Sequence, residues 1–273
     1  MQQSPTILTK MFLWKYCRPL FMAVRRRRRA WRDAADPKKI LEMGAIQREV
    51  VTRYGQKIQD GPFAGMLYLD EAAGSELVPK LIGSYEAEIH NRIVELSHPD
   101  RDVRIVNIGC AEGYYAVGMA LLIPSASIYA FDIHPVAQER CGQLAQINGV
   151  ADRVQVKGEC TATSLNSILR AGDILICDCE GCEFAVLDPQ QAPVLKTTHM
   201  IVELHDSDHL ELNITPSLLA RFRDSHEIEL CSVKRRRDSD WRAVQFLNPS
   251  QRRIAIDEGR TLGQQWALMR AKI

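Results

Sequence analysis

Between residues 104 and 206, short apolar runs alternate with segments of helical character. The runs predicted to be β-strands are RIVNIG, SIYAFD, VQVKGE, DILICD and HMIVELHD. Strands that alternate with helices pack as a parallel sheet, because each helix carries the chain back across the sheet. The sequence therefore predicts an α/β fold with a doubly wound, Rossmann-like and mostly parallel sheet.

The two ends of the chain depart from this pattern. Residues 1–60 are predicted to form a basic, helical N-terminal arm or extension, and residues 61–273 the α/β domain, with its core at 103–206. Within residues 226–260, the segments EIELCSVK and WRAVQFLN are predicted to be antiparallel edge strands joined by the charged turn RRRDSD. We expect Arg235 to Arg237 in this turn to be solvated.

The overall charge excludes one class of partner. The 273 residues carry a formal net charge of only +1, so the molecule is no general binder of polyanions, and we expect no nucleic-acid partner.

A chain of this size with 46% hydrophobic residues needs no disulfide framework. We therefore expect its eight cysteines to be reduced thiols in a cytoplasmic protein.

The N-terminal arm leaves several alternatives open. Its segment MFLWKYCRPLFMAV, residues 11–24, is too short and too charged to span a bilayer, and five arginines follow at 25–29. The pattern also lacks the small residues of a signal-peptide cleavage site. The arm is a helix packed on the domain, a partly disordered segment, or a peripheral membrane contact through residues 11–29, where aromatic and basic side chains suit an anionic lipid surface.

A glycine-containing turn, IGCAEGYY, follows the first predicted strand. Ligands bind at the carboxyl ends of the strands in such sheets, and glycine lets a ligand approach the backbone. A nicotinamide-binding turn would need glycine in place of Ala111 and Tyr114. Gly109, Ala111 and Gly113 fit the looser G-x-G-x-G turn of methyltransferases instead, which predicts S-adenosylmethionine as the ligand.

Acidic and polar residues near this turn are predicted to contact that ligand. Asp132 ends the second strand, 23 residues after the first glycine, where it can accept both ribose hydroxyls; it could instead cap the helix that starts near Pro135. Glu112 could pair with the ligand's ammonium group, or it could be a solvated turn acid. Glu159 and Cys160, at the end of the third strand, could contact the adenine edge.

The segment Asp178-Cys-Glu180-Gly-Cys-Glu183, with IVELH after it, resembles the D-x-E-G-x-E and E-L-H motifs of the FkbM-type methyltransferases. The IGCAEGYY turn and YAFD are also similar to that family, and the likeness covers residues 103–206. The chain departs from the family in the turn, where D-x-G-A-N-x-G is usual, and at Asp132, where the family often has Glu. The resemblance implies a class I fold, S-adenosylmethionine as methyl donor, O-methylation of sugar or natural-product hydroxyls, and a place for Asp178 beside the methionine end of the donor.

Several acids and one histidine follow the fourth and fifth strands: Asp178, Glu180, Glu183, Glu203, His205 and Asp206. They could hold Mg²⁺, supply a general base, or be satisfied by arginines and helix ends; we expect no bound metal. His205 is the first candidate for the catalytic base, because its ordinary pKa of about 6.5 lets it accept a proton near neutral pH, and Glu180 is the second. Cys177, Cys179 and Cys182 are expected to be buried thiols rather than zinc ligands.

These expectations combine into one leading hypothesis. The predicted donor-binding residues are Asn107, Gly109, Ala111, Glu112, Gly113, Asp132, Ile133, Glu159, Cys160 and Asp178. The chain is expected to be an S-adenosylmethionine-dependent O-methyltransferase whose partner is a small-molecule methyl acceptor. Methylation of nucleic-acid bases is not expected, because the fourth strand ends in DCEG instead of [DN]-P-P-[FY]. The alternative is a non-catalytic Rossmann-like scaffold protein that docks to a membrane or partner through its arm.

Overall fold

The computed structural model describes residues 37–72, 75–97, 102–205, 215–260 and 263–273, with side chains from residue 41 onward. The chain divides into two compact units, Met1–Arg48 and Glu49–Ile273. The segment 11–29, for which a membrane contact was one alternative, lies outside the described residues, as does Asp206. No helix in the described part of the chain is both long and apolar enough to cross a membrane.

The described helices and strands follow the predicted alternation through the centre of the chain. The α-helices are α1 Pro37–Tyr54, α2 Leu77–Ile82, α3 His90–Leu96, α4 Tyr114–Leu122, α5 Pro135–Ile147, α6 Ala162–Ile168, α7 Glu183–Val186, α8 Thr215–Ala220 and α9 Pro249–Ala255. The strands are β1 Arg104–Ile108, β2 Ser127–Phe131, β3 Val154–Lys157, β4 Ile174–Cys177, β5 His199–Leu204, β6 His226–Ser232 and β7 Gln265–Ala271.

One seven-stranded sheet forms the centre of the second unit, with the strand order β3-β2-β1-β4-β5-β7-β6. Strands β1 to β5 are parallel, and β7 is antiparallel to both of its neighbours, β5 and β6. The chain builds the sheet from β1 in one direction and from β4 in the other, so the strand order reverses between β1 and β4. The prediction of a doubly wound, mostly parallel sheet with antiparallel C-terminal strands is confirmed.

The apolar sequences explain why the central strands are buried on both faces. All four residues of β4, ILIC, are buried, as are the last four of β1. Such uninterrupted apolar runs are typical of parallel strands that helices cover on both sides. Helix α4 is apolar around its whole circumference and packs on β1 and β2, which fixes the glycine turn that leads into it.

The prediction of the second C-terminal strand is wrong in its location. The segment WRAVQFLN forms short 3₁₀ turns, including Arg242–Val244, and the strand that pairs with β6 is β7, further along the chain. The buried residues of WRAVQFLN are Ala243, Val244 and Leu247, and this spacing of one and four positions is helical rather than alternating. Strand β7 lies between two strands and is correspondingly buried along most of its length.

Candidate active site

The glycine turn and the loop after β4 meet where the strand order reverses. The N–H groups of Gly109 and Cys110 donate to the carbonyl oxygen of Phe131 at the end of β2, at 2.8 and 3.0 Å. On the other side, the N–H of Asp178 donates to the carbonyl oxygen of Ile108 at 3.0 Å. Open α/β sheets bind ligands in the crevice at this position, so residues 109–113 and 178–183 line the candidate site.

Both glycines of the turn are required by the packing of the protein itself. Gly109 and Gly113 have φ angles of 75° and 101°, which favour glycine. A Cβ at Gly109 would lie 1.7 Å from the carbonyl oxygen of Asp178, and one at Gly113 would lie 2.9 Å from the Sγ of Cys141. The expectation that these glycines admit a ligand to the backbone stays a prediction. The structure adds a second reason for them, because a Cβ at either position would meet the loop after β4 or helix α5.

Asp132 holds the turn and the start of α5 together. Its Oδ2 accepts a hydrogen bond from the N–H of Ala111 at 3.0 Å, and its Oδ1 accepts one from the N–H of His134 at 2.8 Å. Ala111 has a φ of 48°, a left-handed conformation. The contact at the start of the helix, one of the two sequence-based alternatives, is therefore present. Since a carboxylate has about four acceptor sites, Asp132 keeps capacity for two further donors.

Glu112 is buried and already carries an internal counter-charge. It forms an ion pair with Lys80 of α2, and the hydroxyl of Tyr68 donates to its Oε1 at 2.6 Å. Burial opposes ionisation, but Lys80 and Tyr68 outweigh it and lower the pKa of Glu112 below 4.5. The expectation of a solvated turn acid is wrong, and the carboxylate assigned to a ligand's ammonium group is paired within the protein. Helix α2 was not predicted, so Lys80 was missed.

The remaining predicted donor-site residues lie around the same edge of the sheet. Ile133 and Glu159 are exposed, whereas Cys160 is buried, and burial with the nearby charge of Glu159 raises the pKa of its thiol to about 12. The Nδ2 of Asn107 donates to the carbonyl oxygen of Ile176 at 3.4 Å. Its Oδ1 is buried without a hydrogen-bond partner in the described part of the chain.

Four carboxylates surround His205, which follows β5. The Nδ1 of His205 lies 2.9 Å from the Oε1 of Glu183. Its Nε2 lies 3.5 Å from the Oε2 of Glu180, 3.5 Å from the Oε2 of Glu203 and 3.7 Å from the Oδ1 of Asp178. The structure therefore brings together five of the six residues that the sequence grouped at these strand ends, and we call these five the His205 cluster.

Glu183 fixes both the loop and the imidazole. Its Oε1 accepts hydrogen bonds from the N–H groups of Cys179 and Gly181, at 3.3 and 3.1 Å, besides contacting His205. Glu180 and Gly181 adopt left-handed conformations, with φ angles of 58° and 103°, and so turn the loop around the Glu183 carboxylate. Because the carboxylate is an acceptor, Nδ1 is the donor, and Nε2 faces the other three acids.

Glu203 is supported by residues from the C-terminal part of the chain. Its Oε1 accepts hydrogen bonds from Arg260 and Gln264. Arg260 is shared, because it also pairs with Glu86 and Glu258. Burial and the nearby Asp178 raise the pKa of Glu203 well above 4.5, although His205 and Arg260 act against this rise. Nothing in the local sequence indicated Arg260 or Gln264.

The acids change the proton affinity of His205. Burial alone would lower its pKa, but the hydrogen bond that it donates to Glu183 and the charges of Glu183, Glu203 and Asp178 outweigh burial and raise the pKa to about 9. The expectation that His205 has an ordinary pKa is therefore wrong. An imidazole with this pKa holds its proton at neutral pH, which removes the reason for assigning it the role of base.

Two of the cysteines differ from expectation. Cys179 and Cys182 form a disulfide, with their Cα atoms 5.5 Å apart. The left-handed residues 180 and 181 turn the loop back on itself, which brings the two side chains within bonding reach. Cys110, Cys141, Cys160 and Cys177 are free and buried. The inference of a reducing, cytoplasmic compartment rested on free thiols and loses that support.

The basic turn before residue 238 is only partly solvated. Arg235 and Arg237 are exposed, as expected, but Arg236 is largely buried and pairs with Glu88 at 2.9 Å and with Glu258 at 2.5 Å. The expectation of three solvated arginines is therefore wrong at Arg236, because buried acids from another segment need its charge.

Comparisons with known proteins give weak structural similarity and no sequence match. No family model matches the chain, and neither does any curated protein. A precorrin-6Y C5,15-methyltransferase from Geobacter metallireducens is 15% identical, with 55% of this chain and 77% of that chain covered at a TM-score of 0.44. A precorrin 8w decarboxylase from Methanobacterium thermoautotrophicum is 18% identical, with 69% and 90% covered at 0.45. The cofactor-bound protein Rv0187 from MTB is 15% identical, with 89% and 96% covered at 0.46. Similarity of this size assigns neither a substrate nor an activity.

Proposed function

We propose that the chain is an S-adenosylmethionine-dependent methyltransferase that transfers a methyl group to a hydroxyl of a small molecule, such as a sugar or a natural product. The observation that carries the proposal is the position of Asp132. Its carboxylate stands at the carboxyl end of β2 and is held against the glycine turn by the N–H of Ala111, at the point where the strand order reverses. A ribose is the group that an acid in this position is suited to hold.

The residues at the carboxyl edge of the sheet are suited to the ribose, the adenine and the methionine end of S-adenosylmethionine. Asp132 has acceptor capacity for the two ribose hydroxyls. The exposed Ile133 follows it directly and the exposed Glu159 follows the neighbouring strand β3, so both are candidates to contact adenine. Asp178, beside the backbone of Gly109, is suited to the methionine end. Glu112 does not fit the role of ammonium partner, because Lys80 already neutralises it. The motif resemblance to the FkbM-type methyltransferases supports the same assignment.

The donor supplies an electrophilic methyl group on a sulfonium sulfur. The protein's task is to hold the acceptor oxygen in line with that methyl group and to take up the hydroxyl proton. Glu180 is the most exposed of the four acids in the His205 cluster, with 44% of its side chain accessible. We propose Glu180 as the proton acceptor, because His205 is already protonated at neutral pH.

Calorimetric titration of S-adenosylmethionine into the folded full-length protein tests this proposal. We expect saturable binding near one equivalent, and no binding of NAD, since Ala111 and Tyr114 replace the glycines of a dinucleotide turn. Absence of S-adenosylmethionine binding by protein with intact circular dichroism would overturn the proposal and favour a scaffold role. The proposed partner is a small molecule; a membrane contact through residues 11–29 concerns residues outside those described.

A further inference from the structure

We propose that Asp178, Glu203 and His205 bind a divalent cation of the first transition row, for which Mn²⁺ is a suitable probe. One side-chain ligand atom from each residue can be chosen so that all three lie within 4.8 Å of one another. The three residues come from the ends of β4 and β5, two neighbouring parallel strands, so the sheet itself fixes their relative positions. The site adjoins the glycine turn through Asp178.

The separations between the Nε2 of His205 and the two acids are those of ligands around an ion rather than of hydrogen-bond partners. The Nε2 of His205 lies 3.5 Å from Glu203 and 3.7 Å from Asp178, and neither contact is a hydrogen bond. Atoms bound at about 2.1 Å to one metal ion lie about 3.0 to 4.3 Å from one another. A hydrogen-bonded pair would be at about 2.9 Å.

A buried oxygen without a hydrogen-bond partner faces the same space. The Oδ1 of Asp178 is shielded from solvent and has no hydrogen-bond partner among the described residues. The side chain of His205 is only 10% exposed, and its Nε2 lies 3.7 Å from this oxygen. Buried polar atoms are costly unless they are satisfied. An ion between Nε2 and Oδ1 would satisfy both atoms at once.

A second layer of contacts orients the proposed ligands as it does at known metal sites. Glu183 lies 2.9 Å from the Nδ1 of His205, so Nε2 is the nitrogen available to a metal, and ligating histidines commonly have a carboxylate in this position. A bound cation would displace the proton that Nε2 carries in the metal-free protein. Arg260 and Gln264 occupy the Oε1 of Glu203, which leaves Oε2 directed at the centre of the cluster. Glu183 is thus a positioning residue for the metal site.

The charges of the cluster favour a cation from outside the protein. Four carboxylates face one imidazole, and the Arg260 that supports Glu203 is shared with Glu86 and Glu258. One imidazole nitrogen with carboxylate oxygens suits Mn²⁺ or Fe²⁺, whereas thiolate ligands would favour Zn²⁺ or Cu⁺. On the basis of the proposed methyl transfer, the cation would bind the acceptor oxygen and favour its deprotonated form.

The test is a titration of Mn²⁺ alone into the full-length protein after removal of metals with a chelator and dialysis. We expect one tight equivalent by calorimetry, with a matching loss of the free-Mn²⁺ signal in electron paramagnetic resonance. Asp178→Asn and His205→Gln should each weaken binding by at least about 100-fold, since each removes a ligand. The matched control is Asp152→Asn, at an exposed acid outside the cluster, which should bind like the wild type.

The variant Glu183→Gln distinguishes a metal site from a cluster that only stabilises the fold. It keeps an oxygen that can accept from Nδ1 but removes the charge, so Mn²⁺ should bind about 10- to 100-fold more weakly. Circular dichroism and thermal melts identify variants that fail to fold. Absence of Mn²⁺ binding, or binding that is equal in wild type, Asp178→Asn and His205→Gln, would overturn the inference. A separate titration of S-adenosylmethionine into the metal-free protein distinguishes the two proposals: loss of one binding with the other retained overturns only the proposal concerned.

Discussion

Two buried glutamates at the carboxyl edge of the sheet have opposite surroundings. Glu112, in the turn after β1, is fully buried, and Lys80 and Tyr68 lower its pKa. Glu203, at the end of β5, is 2% exposed, but it faces Asp178 and His205, and its pKa is raised. One acid has a cation of its own, whereas the other belongs to a group of acids that share their cations.

The difference separates an acid whose charge is balanced within the fold from acids for which we propose a role in chemistry. A buried ion pair as a whole adds little to stability, but removal of one of its partners is expensive, because it leaves an uncompensated buried charge. A group of like charges is costly to assemble, so its presence in a crevice indicates a functional role. The neighbouring Asp132 is intermediate, since it binds two backbone N–H groups and retains acceptor sites.

The largest expected effect is on stability, at the ion pair between Glu112 and Lys80. Lys80→Met leaves the Glu112 carboxylate buried without its cation, so the free energy of unfolding should fall by about 3 to 5 kcal/mol. Urea unfolding followed by circular dichroism measures the change. The double variant Lys80→Met/Glu112→Gln should recover most of the loss, because it removes the unpaired charge. A loss below about 1 kcal/mol in the single variant would contradict the assignment of this pair as a structural one.

A ligand-binding effect is expected at Asp132. Asp132→Ala should weaken S-adenosylmethionine binding by at least about tenfold, or about 1.4 kcal/mol, because two ribose hydroxyls lose a charged acceptor. Calorimetry measures the affinity. Asp132→Asn is the matched variant, since one acceptor oxygen remains for the N–H of Ala111 or His134, and its loss should be smaller. Unchanged affinity in Asp132→Ala would mean that the ligand does not use this strand end.

A smaller effect on stability is expected at Glu203, the acid that lies among other acids. Glu203→Gln removes one of several like charges, and Arg260 keeps Glu86 and Glu258 as partners. In the presence of a chelator, the free energy of unfolding should therefore change by less than about 1 kcal/mol, in contrast to Lys80→Met. The same urea experiment measures it. A loss as large as that of Lys80→Met would show that Glu203 is a dedicated partner of Arg260.

Sequence patterns predict what is local in this molecule. Strands β1 to β5 follow from apolar runs between turn signals, and the grouping of Glu203 and His205 with Asp178 follows from neighbouring strand ends. The second C-terminal strand was misplaced because β7 is defined by its pairing with β5 and β6, not by alternation in its own sequence. Propensity gives no information on such distant pairing.

The partners of the buried charges could not be predicted for the same reason. Lys80 reaches Glu112 from a short helix 32 residues earlier, and Arg260 reaches Glu203 from 57 residues later. The sequence singled out Gly109 as a position for ligand approach, whereas the constraint seen in the structure comes from the carbonyl of Asp178, which is distant in sequence. Charge balance and close backbone approach depend on the assembled sheet, so a sequence alone leaves them open.

The smallest expected effect concerns a buried group whose neutral form is the stable one. His226 is buried, its Nε2 lies 2.8 Å from the carbonyl oxygen of Thr198, and its Nδ1 lies 2.9 Å from the Oγ of Ser225. Burial lowers its pKa below 6.5, although the hydrogen bond to Thr198 acts against this. The unfolded chain, with an ordinary pKa, therefore binds a proton at a higher pH than the folded protein does.

The stability that neutral His226 contributes is thus complete above about pH 6.5 and is lost as the pH falls through the lowered, folded-state pKa. Urea unfolding at pH 7 and pH 5 should show a decrease in stability that is smaller in His226→Gln, by less than about 1 kcal/mol. The matched control is His134→Gln at an exposed histidine, which should keep the wild-type pH dependence. An unchanged pH dependence in His226→Gln would mean that His226 takes up a proton equally in both states. This residue has its hydrogen-bond partners within the protein, at Thr198 and Ser225, and needs no ligand to complete them.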